Sequence, residues 1–209
     1  MEIRESKGGK SLTEIVRWVA LLAVPAVAAC TYTSTGTATR EAPEAVAALS
    51  SAQATWRGEI RGLDKFNRDV TVVTFVCGGH TYRTRHYEMA RARIASAMAA
   101  SGLPEPDGTL AVTVDDVDLR VGCHPAGFGG FGTFCRADAI VSLSATRVDG
   151  KGRSTQAAGR YEASNRLGAG AACEGGRDAV DNAAGAALDG VVAKLADELK
   201  IGREPPARR

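Results

Sequence analysis

Ala137-Asp138-Ala139-Ile140-Val141-Ser142-Leu143-Ser144-Ala145-Thr146-Arg147 places Ala137, Ala139, Val141, Leu143 and Ala145 on one face of an extended chain. Beyond Asp149-Gly150-Lys151-Gly152 the same period of two returns in Thr155, Ala157, Gly159, Tyr161 and Ala163. Alternation at this period is what a strand with one buried face requires. The Asp/Gly-rich tetrapeptide between the two runs supplies turn chemistry, so the stretch predicts a β-hairpin.

Upstream, Thr109 to Val121 predicts a second long strand whose alternation slips midway. Leu110, Val112 and Val114 share one parity, while Val117, Leu119 and Val121 take the other. A β-bulge at Asp115-Asp116 would return both sets to one face. Further back, Val70-Thr71-Val72-Val73-Thr74-Phe75-Val76-Cys77 is rich in β-branched and aromatic residues and predicts a central strand. Between these strands, Tyr87, Ala90, Ile94, Ala97 and Met98 at helical spacing predict a helix from about Arg83 to Ser101, closed by Gly102, Leu103 and Pro104. Trp56 to Arg61 alternates weakly and predicts an edge strand. Downstream, Val180, Ala184, Leu188, Val191, Leu195 and Leu199 form an apolar stripe that predicts a closing helix from about Gly176 to Lys200.

The order β-α-β-β-β-α predicts an α+β fold: a two-layer sandwich with a mixed four- to five-stranded sheet and two helices on one face. The expected divisions are a leader over 1–29, a cysteine and flexible tether over 30–55, the domain over 56–201 and a disordered tail over 202–209. In that layout Cys77, Cys123, Cys135 and Cys173 all fall at one rim. The expected disulfides are Cys123 with Cys135, closing the loop Gly127 to Gly132, and Cys77 with Cys173. Spacings of 46, 12 and 38 residues contain no C-x-x-C pair and do not suit a zinc finger or ribbon.

The fifth cysteine, Cys30, closes the run Leu21 to Cys30. Lys7, Lys10 and Arg17 precede a 12-residue apolar stretch from Trp18 to Ala29, the layout of a secretory signal peptide and well short of the ~20 residues needed to span a bilayer. Val27-Ala28-Ala29-Cys30 resembles the lipobox of bacterial lipoproteins. The resemblance implies cleavage before Cys30 and a diacylglycerol on its thiol, so the membrane is the first expected partner. Past Ala29 the chain keeps 22 basic against 21 acidic residues, a balance that gives no reason to expect a nucleic-acid partner.

Candidate chemistry is sparse. Phe128, Phe131 and Phe134 lie in a Gly-rich, cysteine-bounded segment that reads as a packing plug for the domain's open end or as a binding tip that contacts a partner or lipid. The phosphate-cradle pattern does not fit there, because no helix N-terminus with Lys-Ser/Thr follows the glycines. His80, His86 and His124 lack the spacing for one helix face and read by default as surface residues. Asp115, Asp116 and Asp118 crowd one strand without an assignable partner. Arg147, Arg153, Arg160 and Arg177 surround the last hairpin and helix and could mark recognition of phosphate or carboxylate groups. No nucleophile, base and orienting group can be assembled, so neither a catalytic residue nor a cofactor or metal is expected.

The lipobox and the β-α-β-β-β-α layout together resemble small Gram-negative outer-membrane lipoproteins of uncharacterised role, the YajG-like group in particular, from Val70 to Leu199. The resemblance implies a lipid-anchored envelope lipoprotein facing the periplasm. Thr31 after Cys30, where an inner-membrane retention signal would show Asp, implies the outer membrane. The expected role is a non-enzymatic assembly or accessory factor acting through an envelope protein partner; the alternatives are a periplasmic glycan- or lipid-binding module and, behind it, a cryptic hydrolase.

Overall fold

The computed structural model describes residues 30–34, 56–125, 132–170 and 173–201. In chain order the elements are β1 (Thr31–Ser34), β2 (Glu59–Arg61), a 3-10 turn (Leu63–Phe66), β3 (Asp69–Thr71), β4 (Thr81–Thr84), α1 (Tyr87–Ala100), β5 (Thr109–Pro125), β6 (Thr133–Val148), β7 (Ser154–Gly168) and α2 (Gly175–Ile201). The fold is an α+β sandwich. Its larger sheet runs β2-β5-β6-β7, with β2 parallel to β5 and the long strands antiparallel to one another. A smaller sheet runs β1-β4-β3, with β1 parallel and β3 antiparallel to β4.

The long hairpin forms as its period demands. Ala137, Ala139, Val141, Leu143 and Ala145 are buried on the inner face, and Asp138, Ser142 and Ser144 stay half-exposed. At the turn, the Asp149 carboxylate accepts backbone N–H groups of Lys151 and Arg153, both at 2.9 Å. The bonds from Arg153, its backbone N–H foremost, and from Lys151 hold that carboxyl below its usual range. In β5 the register shifts between Val114 and Asp116, the expected bulge, and Leu110, Val112, Val114, Val117, Leu119 and Val121 are all buried.

Helix α2 lies on this inner face. Val180, Ala184, Leu188, Val191, Leu195 and Leu199 join the strand residues in one apolar cluster. Burial of each Val or Leu contributes roughly 1.5–3 kcal/mol. The far end of α2 is closed by Arg147, whose Nη1 donates to the Leu199 carbonyl at 2.6 Å while Nη2 meets Glu105 at 3.1 Å. A cation on a carbonyl that the helix cannot satisfy itself is favourable at a C-terminus. Helix α1 ends with Leu103 N–H donating to the Met98 carbonyl and Gly102 N–H to that of Ala99. Gly102 takes φ +68°, the left-handed position that this closure needs, and Leu103 is buried.

Three local expectations are corrected. Val70 to Cys77 is not a central strand: β3 stops at Thr71 in the smaller sheet, and the chain beyond it meets β5 only at Cys123 before the left-handed Cys77 and Gly79 turn it back into β4. The expected helix start at Arg83 falls in β4, and α1 begins at Tyr87. Thr31 to Ser34, expected in a flexible tether, form an edge strand on β4.

Candidate functional site at the disulfide rim

The end of the fold where β5 finishes and β6 begins gathers all four disulfide cysteines. Cys123 and Cys135 stand directly opposite in the β5–β6 register and are bonded, with Cα atoms 4.0 Å apart. Cys77 and Cys173 are bonded with Cα atoms 5.9 Å apart. Cys77 reaches the rim by a loop before β4 rather than by ending a strand beside β5. The Cys77, Cys123 and Cys135 sulfurs lie within 4.8 Å of one another, but a disulfide sulfur has no thiolate to offer a metal. Both Cys77 (φ 58°) and Cys173 (φ 62°) adopt the left-handed conformation that side chains rarely take. Backbone bonds over-determine it: the Cys77 carbonyl accepts from His80 N–H, and the Cys173 carbonyl accepts from Gly176 N–H and the Tyr82 hydroxyl.

Cys30 sits at the same end. It is exposed, it is the free cysteine among the described residues, and its carbonyl accepts the Thr81 N–H at 3.1 Å. Two residues on, the Tyr32 ring stacks between His80, at 6.0 Å, and Tyr82, at 5.8 Å. Burial raises the Tyr32 phenol above its usual value, and nearby Cys30 adds to the shift. Tyr82 is fully buried, donates to the Cys173 carbonyl at 2.5 Å, and has its phenol pushed up to about 12 by burial and by the adjacent Tyr32 and Glu174. A Cβ on Gly176 would overlap the Tyr82 ring, so the start of α2 requires glycine there.

Between β3 and β4 the chain makes a pinned loop. Val72 N–H donates to the His80 carbonyl at 2.8 Å and closes its base. Thr74 Oγ1 accepts the Cys123 N–H at 2.9 Å, and Val76 bridges to Cys123. Val73 and Phe75 nonetheless point outward, 88% and 103% exposed.

Of the phenylalanines expected to contact a partner, Phe128 and Phe131 lie outside the described residues. Phe134 is half-buried on β6, with the Arg166 guanidinium 3.5 Å from its ring centroid and His124 tilted beside it at 5.8 Å.

The other sequence candidates do not converge. Asp115 accepts the Ser144 hydroxyl at 2.9 Å, Asp118 pairs with Arg120 at 2.7 Å, and the Lys65 ammonium donates to the Val114 and Asp115 carbonyls. Arg147 is buried at the far end of α2, Arg153 pairs with Asp149, and Arg177 pairs with Asp178. An open groove of about 510 Å³ lies at the opposite end, beside Trp56, Leu103 and Pro104.

Sequence reading missed one pair entirely. His86, read by default as a surface residue, is fully buried, and its Nε2 lies 2.8 Å from Asp181 Oδ1 on α2. The two are 95 positions apart, and nothing in the local pattern of either announces the other. The pair joins the start of α1 to α2 inside the core.

No protein-family model and no curated protein sequence matches this chain. Among solved structures it is similar to a minor lipoprotein from Acinetobacter baumannii, at 12% identity over 57% of this chain and 87% of that one, with a TM-score of 0.35. A lipoprotein from Caulobacter crescentus matches at 16% identity over 74% of this chain and 98% of that one, TM-score 0.33. A Xanthomonas campestris protein of family DUF330 matches at 10% over 83% and 95%, TM-score 0.34. Likeness at this level assigns no role to this chain. Among the described residues, no helix is long and apolar enough to cross a membrane.

Proposed function

We propose that this chain is a lipid-anchored envelope lipoprotein of the outer membrane, facing the periplasm and acting without catalysis as an assembly or accessory factor. The carrying observation is Cys30: it follows Val27-Ala28-Ala29, is exposed, and stands apart from the two disulfides that hold the other four cysteines. A thiol left outside the disulfide framework of an exported chain is free for acylation. Contact with a protein partner is supported by β7, a 15-residue strand that among the described residues pairs only with β6 and leaves its other edge of N–H and C=O groups unpaired by them. Phe128, Phe131 and Phe134 remain part of this reading as contact residues.

Metabolic labelling with a fatty-acid analogue tests the anchor. The wild-type chain is expected to take up label and to lose residues 1–29, and Cys30→Ser to stay unlabelled and uncleaved. Label retained on Cys30→Ser refutes the assignment.

A further inference from the structure

Four large apolar side chains are exposed among the described residues, Val73 and Phe75 almost wholly and Tyr87 and Tyr161 in part. Two of the four share the loop between β3 and β4. That loop starts from the Val72–His80 pair, and the next residue, Thr81, donates to the Cys30 carbonyl. The loop and Cys30 therefore leave the smaller sheet side by side at the same end, β1 running parallel to β4 away from it.

The loop is not free to tuck these side chains in. The Thr74 contact, the Val76 bridge to Cys123 and the Cys77–Cys173 disulfide fix it on three sides. Val73 and Phe75 are thus held out in a preset geometry, and an apolar pair held in water is favoured by any apolar surface that meets it. What meets it follows from position. The residue one hydrogen bond away from the loop's base is the one that would carry the acyl chains, so the nearest apolar phase is the bilayer into which they insert.

We propose that this rim rests on the membrane, with Val73 and Phe75 entering the lipid interface beside Cys30 as a second, side-chain contact. This rests on the anchor reading above and adds an orientation to it: the disulfide rim faces the leaflet, and the Trp56 groove and the start of α1 face away. Apolar side chains buried at the interface add their own binding free energy to that of the diacylglycerol and fix how the domain sits.

The test separates the two readings by supplying the anchor chemically. The chain from Cys30 to Arg209, which contains every element of both sheets and both helices, is coupled through its Cys30 thiol to maleimide-bearing vesicles of phosphatidylethanolamine and phosphatidylglycerol. Tryptophan is placed at the loop with Phe75→Trp and, as a distant exposed control, at the start of α1 with Tyr87→Trp. With doxyl-labelled lipid in the vesicles, Phe75→Trp is expected to show blue-shifted emission that the label quenches, above the Trp56 background, and Tyr87→Trp to be unquenched. A Phe75→Trp emission that stays solvent-like and unquenched overturns the proposal and leaves the loop to a protein partner. Equal quenching at both positions overturns it too, because the domain then has no fixed orientation. Neither result depends on whether cells acylate Cys30, which the labelling experiment decides separately.

Discussion

Replacing Tyr82 by Phe removes a single oxygen from the rim and changes stability in opposite directions at neutral and alkaline pH. At pH 8 the variant loses the hydrogen bond to the Cys173 carbonyl, 2.5 Å long in the native fold, for a cost of about 1 kcal/mol. At high pH the sign reverses. The native phenol is raised from 10.0 to about 12, so the folded state holds its proton longer than the unfolded chain does. The associated stability is fully present below pH 10 and drains away as pH rises from 10 towards 12, because the unfolded chain ionises first. At ~1.36 kcal/mol per unit, the two-unit difference is worth at most about 2.7 kcal/mol, and roughly half of it is gone at pH 11. Tyr82→Phe has no such proton to lose. Its urea-unfolding free energy should therefore start about 1 kcal/mol below wild type at pH 8 and draw level near pH 11. Parallel curves from pH 8 to 11 would refute the burial of this phenol as the origin of the shift.

Asp181→Ala should cost about 2–4 kcal/mol in chemical denaturation, since it leaves His86 fully buried without its carboxylate, and Asp181→Asn, which keeps an acceptor at the same place, should cost markedly less. Indistinguishable losses for the two variants would mean that packing volume, not the polar contact, sets the cost. For the disulfides, non-reducing peptide mapping should recover Cys77 joined to Cys173 and Cys123 joined to Cys135. Replacing the first pair by Ala should destabilise more than replacing the second, by about 2 kcal/mol on the chain-entropy relation, given separations of 96 and 12 residues. Recovery of a Cys77–Cys123 peptide would overturn the rim as described.

The parts of the fold that could be read in advance are those whose residues report on their own burial. In β5, β6 and α2 each apolar residue recurs at the period of its element, long enough that even the slip at Asp115-Asp116 reads as a bulge rather than a break. The failures share one physical cause: a pairing partner chosen elsewhere. Val70 to Cys77 has the composition of a buried strand, but composition cannot say which neighbour it will pair with, and only two of those residues, Val70 and Thr71, enter β3's ladder. Thr81-Tyr82-Arg83-Thr84 is polar in composition and becomes the centre of the smaller sheet because Tyr82 and Thr84 are buried beneath it. At the rim, cysteine identity announced the chemistry, whereas the exposure of Val73 and Phe75 follows from how the loop is pinned, which no local pattern encodes.

The strand at Thr31–Ser34 alters what the proposed anchor can do. A flexible tether from residue 30 to 55 would let the domain range over tens of ångströms from the leaflet, at up to ~3.3 Å per extended residue. With Cys30 bonded through its carbonyl to Thr81 and β1 paired along β4, no slack separates the proposed attachment point from the folded domain. On the proposed anchor, a domain seated that closely would not tumble freely, because one end of the smaller sheet would be committed to the leaflet. In that seating the edge of β7 and the Trp56 groove would be presented at a fixed height and orientation, which would favour capture of a partner itself held in the envelope over one diffusing through the periplasm.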